Sequence, residues 1–416
     1  MPNLGTFVPS LASLTVYVVS FLGLLPFICK DMRYSLYFRS PFHNSSVEMA
    51  YHLRQNDLRV TAASKFWDSL HQRNLTLGFS NPAKDQLNVD IDVMIISASR
   101  QSPLLVRNNP RFLTQILWQF VVILNSTETR SLPWKIRLSV CDVDDKGHEE
   151  AKGFSSTVHY YKRFSVEAQN LPQVNIKEKE KQDYAFCLEE SLKTKPKFVL
   201  LVEDDAFPHP QLFEILYYVL ETRKKAMESR VSTSNVLFYK LYHPERLLGF
   251  WSLEPERIPQ LVSFAVFFGS CVTLLLNFVM LCMRGRWKRK SSIHIIWFWA
   301  IAYFLLMAIS ISRQHIIEMQ YISKRFFTVS PTPSCCTPGM LFVADEAKQW
   351  LHYMKNHICS QTYGKDKMLD DYRQRHHVKG LIVQPNLFVH IGFFSTLSRK
   401  FLHPSLMYYP SWFKLY

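Results

Sequence analysis

Two apolar runs, Leu261–Met283 and Ile293–Ile311, are separated by only nine residues, and the connection carries the basic sequence RGRWKRK from Arg284 to Lys290. About 20 apolar residues suffice to cross a bilayer, so each run is long enough, and so short a connection leaves them only a tight hairpin. Neither run has the polar stripe that a helix on a soluble core presents to water. No ionisable residue lies between Leu261 and Met283, and only His294 lies near an edge of the second run, which disfavours a channel lining. Positive charge marks the cytoplasmic side of short loops, so the basic turn is expected in the cytoplasm. The long polar regions on either side, about 30–258 and 312–416, then share the lumenal side.

Three sequons agree with that placement. Asn44-Ser45-Ser46, Asn74-Leu75-Thr76 and Asn125-Ser126-Thr127 all fall in the first polar region, and none contains a blocking proline. A further apolar run, Val8–Ile28, lacks a clear small-residue cleavage site and is expected to be a signal anchor rather than a cleaved signal peptide. Lys30 and Arg33 follow it while no Lys or Arg precedes it. That local bias opposes the topology, and the hairpin charges and sequons outweigh it. The formal net charge of +15 could suggest nucleic acid, but its densest run is the hairpin turn and the rest is scattered, so no nucleic-acid partner is expected. The eight cysteines include no CxxC pair, which argues against zinc. Cys141, Cys187, Cys335, Cys336 and Cys359 lie in the polar regions, where one or two disulfides are expected without a legible connectivity.

VDIDVMIISASR (Val89–Arg100) and KIRLSVCDVDD (Lys135–Asp145) read as buried strands, and Phe198–Val202 as a third that runs straight into Glu203, Asp204 and Asp205. Helical segments are expected at Arg111–Leu124, from Ile176 through Leu188, and at about Gln211–Lys225. Strands alternating with helices predict an α/β domain with a mostly parallel sheet. Ligands bind such sheets at the carboxyl ends of the strands. Ser97-Ala98-Ser99-Arg100, Asp142-Val143-Asp144-Asp145 and Glu203-Asp204-Asp205 would converge there.

Three adjacent carboxylates repel one another and are costly to bury. A hard divalent cation relieves both problems, because oxygen ligands suit magnesium, calcium or manganese. Such a cation takes the diphosphate of a nucleotide and offsets charge building on a leaving group. A solvated acidic turn is the bland alternative for an isolated EDD; the apolar strand before it and the second acidic strand end count against that reading.

A DxD-like EDD after an apolar strand, in a lumenal domain behind an anchor, resembles the GT-A glycosyltransferases. VCDVDDKGHEEA (Val140–Ala151) and LVEDDAFPHPQLFEIL (Leu201–Leu216) are similar to strand-end segments of the Golgi GlcNAc-transferases that act on N-glycans. PGMLFVADEAKQWL (Pro338–Leu351), KMLDDYRQ (Lys367–Gln374) and VQPNLFVHIGFFSTL (Val383–Leu397) resemble acceptor-side motifs of several such families, in the order a single fold requires. Those enzymes have one span. A hairpin between the nucleotide and acceptor halves, together with the EDD and the HIG tail, resembles instead the GPI-glycan GalNAc-transferases.

The resemblance implies a GT-A-like, Rossmann-like domain split by the hairpin. It implies inverting transfer of GalNAc from UDP-GalNAc to a mannose of the GPI core glycan of GPI-anchored proteins, with manganese as cofactor. In that reading Asp205 binds the metal, and His390 in NLFVHIG is a metal or phosphate ligand. Glu203 and Asp204 contact ribose and donor sugar or orient the site. Asp142 or Asp144 holds uracil with His148 nearby, Arg100 meets the diphosphate, and Pro385 and Gly392 shape the HIG loop. A general base must take the acceptor proton; it falls on Asp370 or Asp371 in LDDYRQR, with Asp345 and Glu346 as rivals. The implied domains are an anchor (1–30), a lumenal stem (31–88), a nucleotide-sugar half (89–258), the hairpin (259–312) and an acceptor half (313–416). The implied location is the Golgi membrane, multi-pass, with the catalytic domain lumenal. The alternatives are a GlcNAc-transferase acting on N-glycans, which the hairpin opposes, and a non-catalytic receptor or chaperone with a degenerate fold, which the intact EDD opposes.

Overall fold

A computed structural model describes residues 11–40, 44–72, 89–100, 110–164, 175–222, 235–250, 257–282, 293–395 and 400–413. Asn74 lies outside these residues, as does the basic turn. The chain divides into two units, Met1–His43 with Pro244–Met319, and Asn44–His243 with Gln320–Tyr416.

The first unit is helical. Ile258–Cys282 and Ile293–Ile311 are both long and apolar enough to cross a membrane, and only 17% and 11% of their most apolar windows are buried. A core helix of a soluble protein would be buried, so the low burial fits lipid-facing helices. Their backbones approach closely at Gly269, where a Cβ would lie 2.8 Å from Ile301 Cγ1 and 2.9 Å from the Ile301 nitrogen; small residues permit this kind of contact between spans. The N-terminal helical segment, Leu11 to Ile28, packs on the second of them. Tyr17 donates its hydroxyl to the Trp299 carbonyl at 2.6 Å, and its ring meets Tyr303 edge-on at 5.3 Å.

The second unit is α/β. Its strands are β1 (Ile91–Ser97), β2 (Ile136–Asp142), β3 (His159–Lys162), β4 (Phe198–Glu203), β5 (Ala206–Pro208), β6 (Val236–Lys240), β7 (Thr328–Pro331), β8 (Gly339–Val343), β9 (Lys379–Gln384) and β10 (Phe388–His390), with two further short strands beyond. Eight form one sheet in the order β3-β2-β1-β4-β8-β6-β9-β7, and β5 pairs with β10 in a separate two-stranded ribbon. The block from β3 to β4 is parallel, as is β6 with β9, while β8 and β7 run antiparallel to their neighbours. β8, from after the hairpin, lies between β4 and β6, from before it. The two halves therefore interleave in a single sheet.

Alternation of side chains across the pleat splits the strands between two cores. Val93, Ile95, Leu200 and Val202 face one layer with the helix Phe112–Asn125, and Met94, Val199 and Leu201 face the other with Ile176–Leu192 and Ala344–Asn356. Cys141 in β2 is bonded to Cys187 in the second layer, and Cys335 to Cys336 in the loop before β8. Two disulfides fall within the one or two expected; Cys359 is a buried free thiol.

The segment expected as a stem differs. Ser45–Gln72 is one long helix packed on the α/β unit: Trp67 donates to the Thr114 carbonyl at 3.2 Å, and Arg59 to Gln115 Oε1 at 2.9 Å. Buried Trp67 and Arg59 tie it down, so the α/β unit begins near residue 44 instead of 89. Asn44 is exposed, and its side chain accepts from the Ser46 amide at 2.7 Å at the start of that helix. Asn125 is half-buried and accepts from Arg130.

Candidate active site

Parallel register places the ends of three strands side by side. Ser97 at the end of β1 aligns with Asp142 of β2, and Ile96 aligns with Glu203 of β4. Once the strands are in register, every segment that follows them opens on the same edge of the sheet. Asp204 and Asp205 turn there before β5, with the Asp204 amide donating to the Ile96 carbonyl at 3.1 Å.

Arg100, three residues beyond β1, joins the two aspartates. Its Nη2 donates to Asp204 Oδ1 at 2.7 Å and to Asp205 Oδ2 at 2.6 Å, and Nη1 donates to the Phe394 carbonyl at 2.7 Å. His390, at the end of β10, brings Nε2 to 3.4 Å from Asp205 Oδ2. β10 is held against β5, and the Ile391 amide donates to the Asp205 carbonyl at 2.9 Å. Gly392 makes this approach possible: a Cβ there would sit 2.1 Å from Asp205 Oδ2. Burial disfavours the Asp205 anion, but Arg100 and His390 more than offset it and hold Asp205 well below the usual carboxylate range. Burial and the neighbouring Asp205 charge instead raise Asp204 against the pull of Arg100. Glu203 is pushed up to about 7, chiefly by burial, with Lys365 opposing and Asp205 adding repulsion. Adjacent carboxylates pushed apart in this way are a recurrent mark of functional sites.

Asp205 Oδ1 is buried and has no hydrogen-bond partner among the described residues. Leaving such an atom unpaired costs about 1–3 kcal/mol, and it is an oxygen of the kind a hard divalent cation takes. Asp205 and His390 are therefore the residues that could hold such an ion. No group of three or more His, Cys, Asp or Glu side chains surrounds a common position among the described residues. A cation here suits the pattern in which one or two carboxylates are completed by phosphate and water.

Asp142 is fully buried, and its oxygens accept from the Asp144 amide at 3.0 Å, the Tyr160 hydroxyl at 2.6 Å and the His148 amide at 3.3 Å. It braces the loop instead of presenting a free carboxylate. Asp144 is half-buried and accepts from the Ser99 amide at 2.9 Å, which ties the ends of β1 and β2 together. His148 Nδ1 meets the Ser97 hydroxyl at 2.9 Å, and that hydroxyl also donates to Asp204 at 3.2 Å. Burial works against the charged imidazole; Glu150 and Asp204 outweigh it and raise His148. Arg100, Asp142, Asp144, His148, Glu203, Asp204, Asp205 and His390 thus gather at one edge.

Residues 91–389 match the family described as GPI-N-acetylgalactosamine transferase PGAP4. The chain belongs to that family. The match spans the hairpin and both halves of the sheet, and this PGAP4-family chain is a glycosyltransferase. Among solved structures, TarS from S. aureus (residues 1–349) is similar at 12% identity over 37% of this chain and 36% of that chain, with a TM-score of 0.22, too slight a likeness to argue from.

In this PGAP4-family chain Asp345 and Glu346 are removed from the site. β8 runs antiparallel to β4, with Gly339 opposite Val202 and Val343 opposite Phe198, so residues after β8 emerge at the far edge of the sheet, ~17 Å from its start for a five-residue strand. Asp345 is exposed and paired with Lys348. Asp370 and Asp371 lie on the helix Lys365–His376; Asp370 accepts from Ser334 and pairs with Arg373 at 3.1 Å, and Asp371 accepts from the Tyr363 hydroxyl at 2.7 Å. The start of that helix is what approaches the acidic edge. Lys365 Nζ is 3.9 Å from Glu203, and the Thr337 hydroxyl is 3.5 Å from both Glu203 and Asp366. Asp366 also accepts from the Cys336 amide at 3.0 Å. Sequence reasoning passed over Lys365, Asp366 and Thr337. The one signal was Asp366, four residues ahead of Asp370 and so one helical turn away on the same face.

Proposed function

We propose that this PGAP4-family chain transfers N-acetylgalactosamine from UDP-GalNAc to a mannose of the GPI core glycan on GPI-anchored proteins, in the Golgi lumen and with inversion. The observation that carries the reading is the family match across both halves of a sheet whose strand ends assemble Arg100, Asp205 and His390 around an unpaired carboxylate oxygen. Asp205 with His390 would hold manganese, which when bound supplies Lewis-acid neutralisation of the donor diphosphate. Arg100, already lodged between two carboxylates, is placed to share its charge with that diphosphate. Asp144, at the half-buried rim beside Ser99, is the better placed of the two uracil candidates, since the Asp142 oxygens are engaged inside the loop. A carboxylate on the helix Lys365–His376 takes the proton of the attacking mannose hydroxyl; Asp370, Asp371 and Asp366 compete for the role. The catalytic unit is lumenal, with the hairpin helices spanning the membrane and their turn in the cytoplasm, so the site faces the compartment that holds the GPI glycan.

The test is gene deletion followed by glycan release from GPI-anchored proteins. The HexNAc branch should vanish, return with the wild-type chain and fail to return with Asp205→Ala. Persistence of the branch after deletion refutes the activity; full rescue by Asp205→Ala refutes the metal role. Purified Asp371→Asn and Asp366→Asn chains should separate the base candidates, since the base variant loses transfer at every pH while donor hydrolysis survives.

A further inference from the structure

A surface segment that the transferase reading leaves unused follows the second apolar helix. Ile322 comes eleven residues after Ile311. In the turns Glu318–Ile322 and Lys324–Phe326, Ile322 is 78% exposed and Phe326 53% exposed, with Lys324 and Arg325 exposed between them. The residues bracketing this pair are fixed. Phe327 is buried in the core, and Tyr321 stacks on His209 and donates its hydroxyl to the Asn386 carbonyl at 2.8 Å. The segment is therefore tied down at both ends while Ile322 and Phe326 turn more than half of their surface outward. Ser323 caps its second turn, accepting from the Arg325 amide at 3.3 Å.

Apolar side chains beside basic ones, in a short segment just beyond a bilayer-length helix, make up the pattern of an interfacial anchor: the apolar groups enter the acyl boundary and the cations reach lipid phosphates. We propose that Ile322 and Phe326 insert into the lipid surface, with Lys324 and Arg325 at the headgroups. The contact is transmitted inward by a short path. Tyr321 bonds Asn386, and Asn386 lies two residues before β10, which ends at His390 against Asp205. Lipid contact at Ile322 and Phe326 would thus fix the height of the catalytic edge above the membrane independently of the hairpin.

The test uses the full chain in phospholipid nanodiscs, with p-benzoylphenylalanine placed singly at positions 322, 326, 267 and 358. Phe267 is a 62% exposed position on the first hairpin helix, and Ile358 is 81% exposed on the α/β unit. On irradiation, lipid adducts are expected at 322 and 326 and absent at 358. Labelling at 267 reports separately on whether the hairpin spans the bilayer. No lipid adduct at 322 or 326 overturns the proposal, whatever happens at 267, and so does crosslinking of these positions to protein instead of lipid. Adducts at 322 and 326 without one at 267 uphold it and refute the spanning hairpin. The readout needs neither donor nor acceptor, so its failure is distinct from failure of the transferase reading.

Discussion

Gly392→Ala adds one methyl group and removes no functional group, yet it should cripple the site. The new Cβ would fall 2.1 Å from Asp205 Oδ2, 2.8 Å from Asp205 Cγ and 3.1 Å from His390 Cε1, against the 3.0 Å below which real Cβ contacts essentially do not occur. The carboxylate cannot turn away freely, because Oδ2 is held by Arg100 at 2.6 Å and the Asp205 carbonyl by the Ile391 amide at 2.9 Å. Either Asp205 or the HIG loop must move by about 1 Å, a displacement that costs on the order of 10²-fold in rate when it misplaces a reacting centre, equivalent to about 2.7 kcal/mol. Stability should fall by only about 1–3 kcal/mol, the usual cost of overpacking. The assay is UDP-sugar turnover by full-length purified protein across a manganese titration, with thermal unfolding in parallel. Gly153→Ala is the control: nothing lies within 4 Å of its added Cβ, and the change should stay within about 0.5 kcal/mol. Wild-type turnover and metal dependence in Gly392→Ala would falsify the close approach of the HIG loop to Asp205.

Three further outcomes concern stability. Asp92 is fully buried and clamped by Arg137, whose Nε and Nη2 each donate at 2.8 Å; Arg137→Met should cost about 3–5 kcal/mol by stranding the carboxylate, with much of the loss recovered when Asp92→Leu is added, as read by urea unfolding. Burial among Tyr321, Phe327 and Trp412 depresses His209 to about 3. Above pH 6.5 the imidazole is neutral in both states and contributes no pH dependence. As pH falls below 6.5 the unfolded chain takes up the proton first, so stability should drop by about 1.4 kcal/mol per pH unit towards pH 3, and His209→Phe should flatten that slope in unfolding midpoints measured from pH 7 to 4. Gly269→Leu should push the hairpin helices apart at Ile301, since a Cβ there already lies 2.8 Å away; a fall in the unfolding temperature of the detergent-purified protein checks it, and an unchanged value opposes it.

Much of the α/β unit was legible because its signals are local. An apolar run with a polar or acidic end marks β1, β2 and β4, and the observed elements, Ile91–Ser97, Ile136–Asp142 and Phe198–Glu203, fall within or one residue beyond the expected stretches. Convergence of their ends followed from parallel alternation alone. That the stem segment docks on the α/β unit was not legible, because its sequence is mostly polar: what holds the helix Ser45–Gln72 there is a few buried residues, such as Trp67 and Arg59, whose partners lie more than 40 positions away. Asp345 and Glu346 were misjudged for a related reason. Strand direction sets which sheet edge a following residue reaches, and a single apolar strand does not encode its direction.

The sequence by itself determined the chemistry available: a membrane-length hairpin, acidic strand ends, a basic residue after β1 and a His-Ile-Gly tail, each written in contiguous residues. Only the tertiary structure decided how they combine. It threaded β8 between β4 and β6, sent the Asp345 end to the far edge, turned Asp142 inward as a brace and brought Lys365 and Asp366 beside Glu203. The physical reason is that a carboxylate's role depends on what faces it. Arg100 reaches Asp205 across 105 positions of sequence, and His390 reaches it through a glycine that leaves room for the approach.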